Sequence, residues 1–226
     1  MSTVLVIGAS RGIGLELVRQ YLARGDRVIA TVRDDAARQQ LQALGAQVLL
    51  VDVAQPASVS GLAWQLDGEA IDTAIYVAGV MSRAGATEPP TQPEFDRVMR
   101  TNVLGAMQVI PQVAPLVAAA RQGQGGRFAF LSSVMGRIGG VAGGDCWLYR
   151  VSKAALNMAV AAAQPAYPRV TMVAMHPGWV QTDMGGASAP LTVMESVRTM
   201  IATLEHLTPA DRGRFLQHDG TPYSSW

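Results

Sequence analysis

Val4-Leu-Val-Ile-Gly8-Ala-Ser-Arg-Gly12-Ile-Gly14 decides the fold. Four bulky apolar residues in succession suit a strand buried on both faces, as in the parallel sheets of α/β proteins. The glycines allow a tight turn, and Gly12 to Arg24 then carries a helix-like amphipathic pattern. The same alternation continues outward. Strands are expected at Arg27–Val32, Gln47–Val51, Thr73–Val77, Gly126–Ser132 and Val170–Met175, with a short last one at Arg214–Gln217. Helices are expected at Asp35–Leu44, Pro56–Leu66, Pro93–Arg121 and Leu148–Ala163, and a helical pattern returns at Thr192–Leu207. Strands alternating with helices imply the α/β class and a Rossmann-type, doubly wound parallel sheet in three layers, with ligands at the carboxyl ends of the strands. The 226 residues suffice for one well-buried core, so a single domain over 1–226 is expected.

Composition excludes several classes of function. With 18 Lys+Arg against 17 Asp+Glu, the chain makes no electrostatic case for nucleic acid or an anionic membrane surface. The apolar run before Gly8 is too short for a signal peptide, and Val113 to Ala120, interrupted by Pro115, falls far short of the ~20 residues that a bilayer requires. The single cysteine, Cys146, rules out an intrachain disulfide and fits a reducing compartment, so a cytoplasmic protein is expected. His176, His206 and His218 are scattered, and no metal site is expected.

A glycine turn between a strand and a helix is the setting for a dinucleotide. Its glycines let the backbone approach the pyrophosphate, and the helix N-terminus supplies N–H groups and the positive end of a dipole. At the end of the second strand of such sites an acidic residue grips a ribose 2′-OH, whereas arginine accepts a 2′-phosphate. Here Arg33 follows Val32, and Arg11 can approach from the glycine turn. Two guanidiniums directed at one phosphate favour NADP(H) over NAD(H). Asp34 is the residue that opposes this reading.

The chemistry is carried by Tyr149 and Lys153, in Y-R-V-S-K at the start of a helix. One turn apart, they project from one face. A phenol has an ordinary pKa of about 10, and a nearby ammonium favours its ionised form. With a nucleotide site, such a pair suits hydride transfer to or from a carbonyl, the tyrosine handling the proton. Ser133, His176 and Asp183 have the composition of a hydrolase triad, but no G-x-S-x-G elbow surrounds the serine.

These motifs, in this order, resemble the short-chain dehydrogenase/reductase family. The glycine turn matches at Gly8, Gly12 and Gly14; an adenine-side acidic residue at Asp52, before Val53; and the family's N-N-A-G as Tyr76-Val-Ala-Gly79. Asn102 in T-N-V, Ser133 in L-S-S, Tyr149 with Lys153, and Pro177-Gly178 with Thr182 complete the match. The resemblance implies catalytic roles for Asn102, Ser133, Tyr149 and Lys153. It implies cofactor contacts from Gly8, Ser10, Arg11, Gly12, Ile13, Gly14, Arg33, Asp52, Val53, Ala78, Gly79, Tyr149, Lys153, Pro177, Gly178, Val180 and Thr182. In that scheme Lys153 holds the nicotinamide ribose and lowers the Tyr149 pKa, and Asn102 supports a water that leads protons to the lysine.

Two departures stand out. Tyr76 and Val77 replace the usual asparagines, and Ser133 and Tyr149 lie 16 residues apart, with a glycine-rich loop at Gly136–Gly144 between them. That longer loop, with His176-Pro-Gly-Trp-Val-Gln-Thr-Asp-Met-Gly185, resembles the C-factor and sniffer-type carbonyl reductase branch. The implied function is NADPH-dependent reduction of an aldehyde, ketone or quinone; the alternative is a non-catalytic NADP(H)-binding signalling or regulatory protein of C-factor type. A sensor needs no proton donor. Met81–Pro93, Trp147, Trp179, Met184 and Gly185–Pro190 outline an apolar pocket for a carbonyl compound of low charge. A homo-oligomer is expected, with Val109, Val113, Leu116 and Val117 facing Leu156, Val160 and Ala163 across a two-fold axis, unless the loop Ile138–Trp147 covers those helices.

Overall fold

The structure is a computed structural model and describes residues 1–226. Seven strands, β1 (Thr3–Ile7), β2 (Arg27–Val32), β3 (Gln47–Leu50), β4 (Thr73–Tyr76), β5 (Arg127–Leu131), β6 (Thr171–His176) and β7 (Phe215–Gln217), form one parallel sheet in the order β3-β2-β1-β4-β5-β6-β7. The order reverses at β1, where Ile7 pairs with Thr31 of β2 on one side and Tyr76 of β4 on the other. A crevice opens at such a switch point. Gly8, Arg33, Val77, Ser132 and Pro177 each follow directly on a strand at this edge.

Successive strand residues face opposite layers. Leu5, Ile7, Tyr76, Phe128 and Phe130 pack on one side, and Val4, Val6, Ile75, Ala129 and Val173 on the other. The first side is covered by α3 (Pro56–Ser60), α4 (Leu62–Gln65), α6 (Gly105–Ala118) and α7 (Trp147–Ala163); the second by α1 (Gly12–Ala23), α2 (Asp35–Ala43) and α8 (Val193–His206). The remaining helix, α5 (Gln92–Met99), leads into α6.

Three expectations are corrected. Pro56–Leu66 is two helices that meet at Gly61. Pro93–Arg121 is likewise not continuous: between α5 and α6 the residues Arg100–Leu104 form a π-helical turn, closed by the Gly105 N–H on the Arg100 carbonyl. Gly105 lies so close to β4 and the loop after β3 that a Cβ would stand 2.6 Å from Tyr76 Oη and 2.7 Å from the Val53 carbonyl oxygen. The widened turn accommodates that approach. The residues expected at a two-fold interface lie elsewhere as well. Val109, Val113, Val117, Leu156 and Val160 are fully buried within the chain, because α6 faces β4 and β5 and α7 faces β6; Leu116 and Ala163 pack at the margin. The outward apolar residues are instead Phe95, Leu104, Met107, Val151 and Met158. The glycine-rich loop leaves them uncovered. It bonds to Ala84 and Ala86 and to the carboxyl-terminal Ser225 and Trp226.

Candidate active site

The glycine turn is shaped by close approach. Gly8 has φ +92° and lies where a Cβ would be 2.8 Å from the Ala78 backbone, while a Cβ on Gly14 would be 2.3 Å from the Gly8 carbonyl oxygen. Gly8 and Ala9 also donate to the Thr31 carbonyl, which ties the turn to β2. Arg11 occupies the N-cap of α1 without a side-chain hydrogen bond to the helix, so Gly12, Ile13 and Gly14 open a helix with no capping side chain. Asp34, Thr91 and Thr192 do cap α2, α5 and α8. An uncapped first turn below a glycine bend fits a pyrophosphate.

At the adenine side the arginines divide. Arg33 is exposed at the end of β2. Asp34 turns away from it, its carboxylate accepting from Ala37 N–H at 2.9 Å as the N-cap of α2. Arg11 pairs with Asp183 at 2.9 Å, both side chains open to solvent. Asp183 makes no hydrogen bond to His176 or Ser133, and His176 Nδ1 is buried without a partner. Asp52 accepts from Ala54 N–H and its own N–H donates to Ser58, which braces the loop after β3 and keeps Val53 buried.

Four candidate catalytic residues converge beyond β4 and β5. Tyr149 and Lys153 lie in the first two turns of α7, buried with Asn102 and Ser133. A Cβ on Gly79 would touch both Asn102 Oδ1 and Lys153 Nζ at 3.5 Å. Burial pushes the Tyr149 phenol up to about 12, and the neighbouring Ser133 hydroxyl pulls the other way. Lys153 Nζ donates to the Leu131 carbonyl at 2.7 Å and stands 5.7 Å from the Tyr149 ring centre. Burial brings Lys153 itself down to about 8. Gly136 makes this packing possible, since a Cβ there would be 2.8 Å from the Lys153 backbone.

Asn102 sits in the π-turn with its side chain fully engaged. Its Nδ2 donates to the Val80 carbonyl at 2.8 Å and to Ser152 Oγ at 2.9 Å, and its Oδ1 accepts from Val80 N–H at 2.8 Å. The amide is a brace between the loop after β4 and α7. Tyr76 and Ser152 are the site residues that motif matching missed. Tyr76 Oη donates to the Thr101 carbonyl at 2.7 Å and so holds the π-turn from below, in place of the absent asparagine. The signal was the departure at position 76 itself.

After β6, Gly178 has φ +86° and packs on Leu191 and His218. Val180 is buried and bridges to Leu191, and Thr182 Oγ1 accepts from Gly185 N–H at 3.0 Å. The Pro177 carbonyl accepts from Ser196 Oγ, which anchors the segment to α8. Arg83 donates to the Met184 carbonyl and Trp179 to that of Gly185, joining the two loops expected to border the substrate. Trp147 and Trp179 are exposed there. Cys146 is half-buried, its thiol pushed up by burial and by Asp145.

Residues 2–190 match the family model described as short chain dehydrogenase. The 1-hydroxy-2-glutathionyl-2-methyl-3-butene dehydrogenase of Rhodococcus sp. strain AD45 is 34% identical, over 98% of each chain. The C-signal of Myxococcus xanthus is 38% identical, over 67% of this chain and 90% of its own. Among solved structures, the carbonyl reductase Sniffer of D. melanogaster superposes with a TM-score of 0.92 at 29% identity, over 100% of both chains. An NADPH-bound carbonyl reductase from chicken fatty liver gives 0.90 at 31% identity, over 100% of this chain and 99% of that one. By sequence and by architecture alike, the chain belongs to the short-chain dehydrogenase family.

Proposed function

We propose that the protein is an NADPH-dependent carbonyl reductase that converts an aldehyde, ketone or quinone to its alcohol, with Tyr149 as proton donor. The observation that carries this reading is the buried group of Ser133, Tyr149 and Lys153 beside the glycine turn. NADPH, when bound, supplies the hydride. Gly8, Gly12 and Gly14 admit the pyrophosphate, Asp52 and Val53 flank the adenine, Ala78 and Gly79 make room for the ribose, and Pro177, Gly178, Val180 and Thr182 border the nicotinamide. Ser133 and Tyr149 hold the carbonyl oxygen between two hydroxyls, and the phenol gives up its proton as charge develops there. With its phenol held high, Tyr149 is fully protonated at neutral pH, as reduction requires. Lys153 then receives the ribose and passes a proton back toward Tyr149.

Preference for NADPH rests on Arg33, with Arg11 beside it in the glycine turn, because Asp34 is engaged as the N-cap of α2. A charge-assisted hydrogen bond contributes roughly 1.5 to 3 kcal/mol, so Arg33→Ala should weaken NADPH by about tenfold or more and leave NADH nearly unchanged. Parallel titrations of both cofactors check this, and equal losses would remove Arg33 from the phosphate. The reductase reading is tested by following NADPH consumption across aldehydes, ketones and quinones, with the alcohol identified by mass. Cofactor binding without turnover on any of them would favour the signalling alternative, which the likeness to C-signal keeps in view.

A further inference from the structure

At the end of the sheet opposite the nucleotide turn, four arginines line one recess of about 130 Å³. Arg127 is the first residue of β5, and Arg169 and Arg212 come shortly before β6 and β7; Arg121 lies in the loop that enters β5. These are adjacent strands, so parallel topology brings residues far apart in sequence to one edge. Gln124 and Thr171 complete the polar wall, and none of the lining residues is acidic.

The charge of this recess is poorly met from within the chain. The nearest carboxylate to Arg121 is Asp72, at 3.9 Å, beyond hydrogen-bond reach. Glu205 is engaged with Arg24, and its hydrogen bond to Arg127 comes from the main-chain carbonyl, at 2.6 Å from Nη2. Arg127 Nε and Arg212 Nε are buried with no partner. Burial and the neighbouring Arg121 charge pull Arg127 below its ordinary range, against the smaller upward pull of Tyr21, Glu205 and Asp72. Arg169 makes no side-chain hydrogen bond to hold it elsewhere, and its base is fixed where Gly125, at φ +85°, packs directly on the Arg169 carbonyl.

Converging guanidiniums with unused N–H groups select a dianion with several oxygens, since the fork of donors matches phosphate geometry. The size limits what enters. At ~30 Å³ per water the recess holds about four waters, and it is smaller than the ~300 Å³ at which pockets enclose whole ligands. We propose that the Arg121–Arg127–Arg169–Arg212 recess binds a phosphoryl dianion, free or as the head group of a small soluble phosphate ester, at a site separate from the cofactor crevice.

Isothermal titration of the full chain, saturated with NADP and at constant ionic strength, tests this with two probes, inorganic phosphate and ribose 5-phosphate. The expected result is saturable binding of at least one probe at one site per chain, weakened about tenfold by Arg169→Gln and abolished by Arg169→Glu, with turnover unchanged. Binding of phosphate alone assigns the recess to the free ion, and binding of both, or of the ester alone, to the ester head group. Arg169 is exposed, so its variants should keep the unfolding midpoint; if they do not, Arg121→Gln replaces them with the same tenfold expectation. No saturable binding in the wild type, or equal affinity in wild type and charge-reversed variant, would overturn the proposal.

Discussion

Lys153 carries a positive charge to a place with almost no water, and that conflict has a measurable consequence. Its pKa falls from 10.5 to about 8 because burial penalises the ammonium. Below pH 8 both folded and unfolded chains hold the proton and the full burial cost is present. Between about 8 and 10.5 the unfolded chain binds more protons than the folded one, so stability rises with pH across that window. Lys153→Met should therefore stabilise the ligand-free protein by about 3 kcal/mol at pH 7 while abolishing turnover, and the gain should fade as pH approaches that upper limit. Urea unfolding of both proteins at neutral and alkaline pH checks it; a variant less stable at pH 7 would mean that the bond to Leu131 outweighs burial. The identity of this residue, with Tyr149, Ser133 and Asn102, was legible in the sequence because each sits in a short motif of fixed spacing. Where its charge points was not. That depends on the Leu131 carbonyl, as the direction of Arg11 depends on Asp183 more than 170 residues away.

The strands were legible within a residue or so, because β1, β2, β4, β5 and β6 are largely buried apolar runs, while β3, half exposed at the sheet edge, is marked by its short apolar run Val48–Leu50. The π-turn was not, since no local pattern distinguishes Arg100–Leu104 from the helices on either side. It arises from a fit between Gly105, Tyr76 and Val53 that exists only after the sheet has formed. Tyr76→Phe tests this arrangement with little change of shape. It leaves the Thr101 carbonyl without its donor, which should cost about 1 to 3 kcal/mol. Because Asn102 is next in the same turn, kcat should fall several-fold with KM for NADPH nearly unchanged. Calorimetric unfolding and steady-state kinetics read the two effects, and an unaltered variant would show that Tyr76 does not brace the site.

At the scale of the molecule, no helix is long and apolar enough to cross a membrane, yet α5, α6 and α7 present apolar side chains outward. Met107 is 54% exposed and Met158 68%, and Phe95, Leu104 and Val151 on the same run of helices are exposed as well. Exposed apolar patches of this kind mark association sites. Light scattering should give two or four times 23.9 kDa, and Met107→Glu with Met158→Glu should return the mass to 23.9 kDa; a monomeric wild type would contradict this. The glycine turn, Tyr149 and the loops after β4 and β6 all lie at the opposite end of the sheet from the arginine recess, so the proposed chemistry can be tested on its own. The most direct measurement compares Tyr149→Phe with wild type in NADPH-dependent turnover of a carbonyl that the wild type reduces. Loss of a positioned acid lowers rates by roughly 10² to 10⁴, and that fall in kcat, with NADPH affinity retained, is the predicted result. A Tyr149→Phe protein that turned over at the wild-type rate would contradict the assignment of the proton donor.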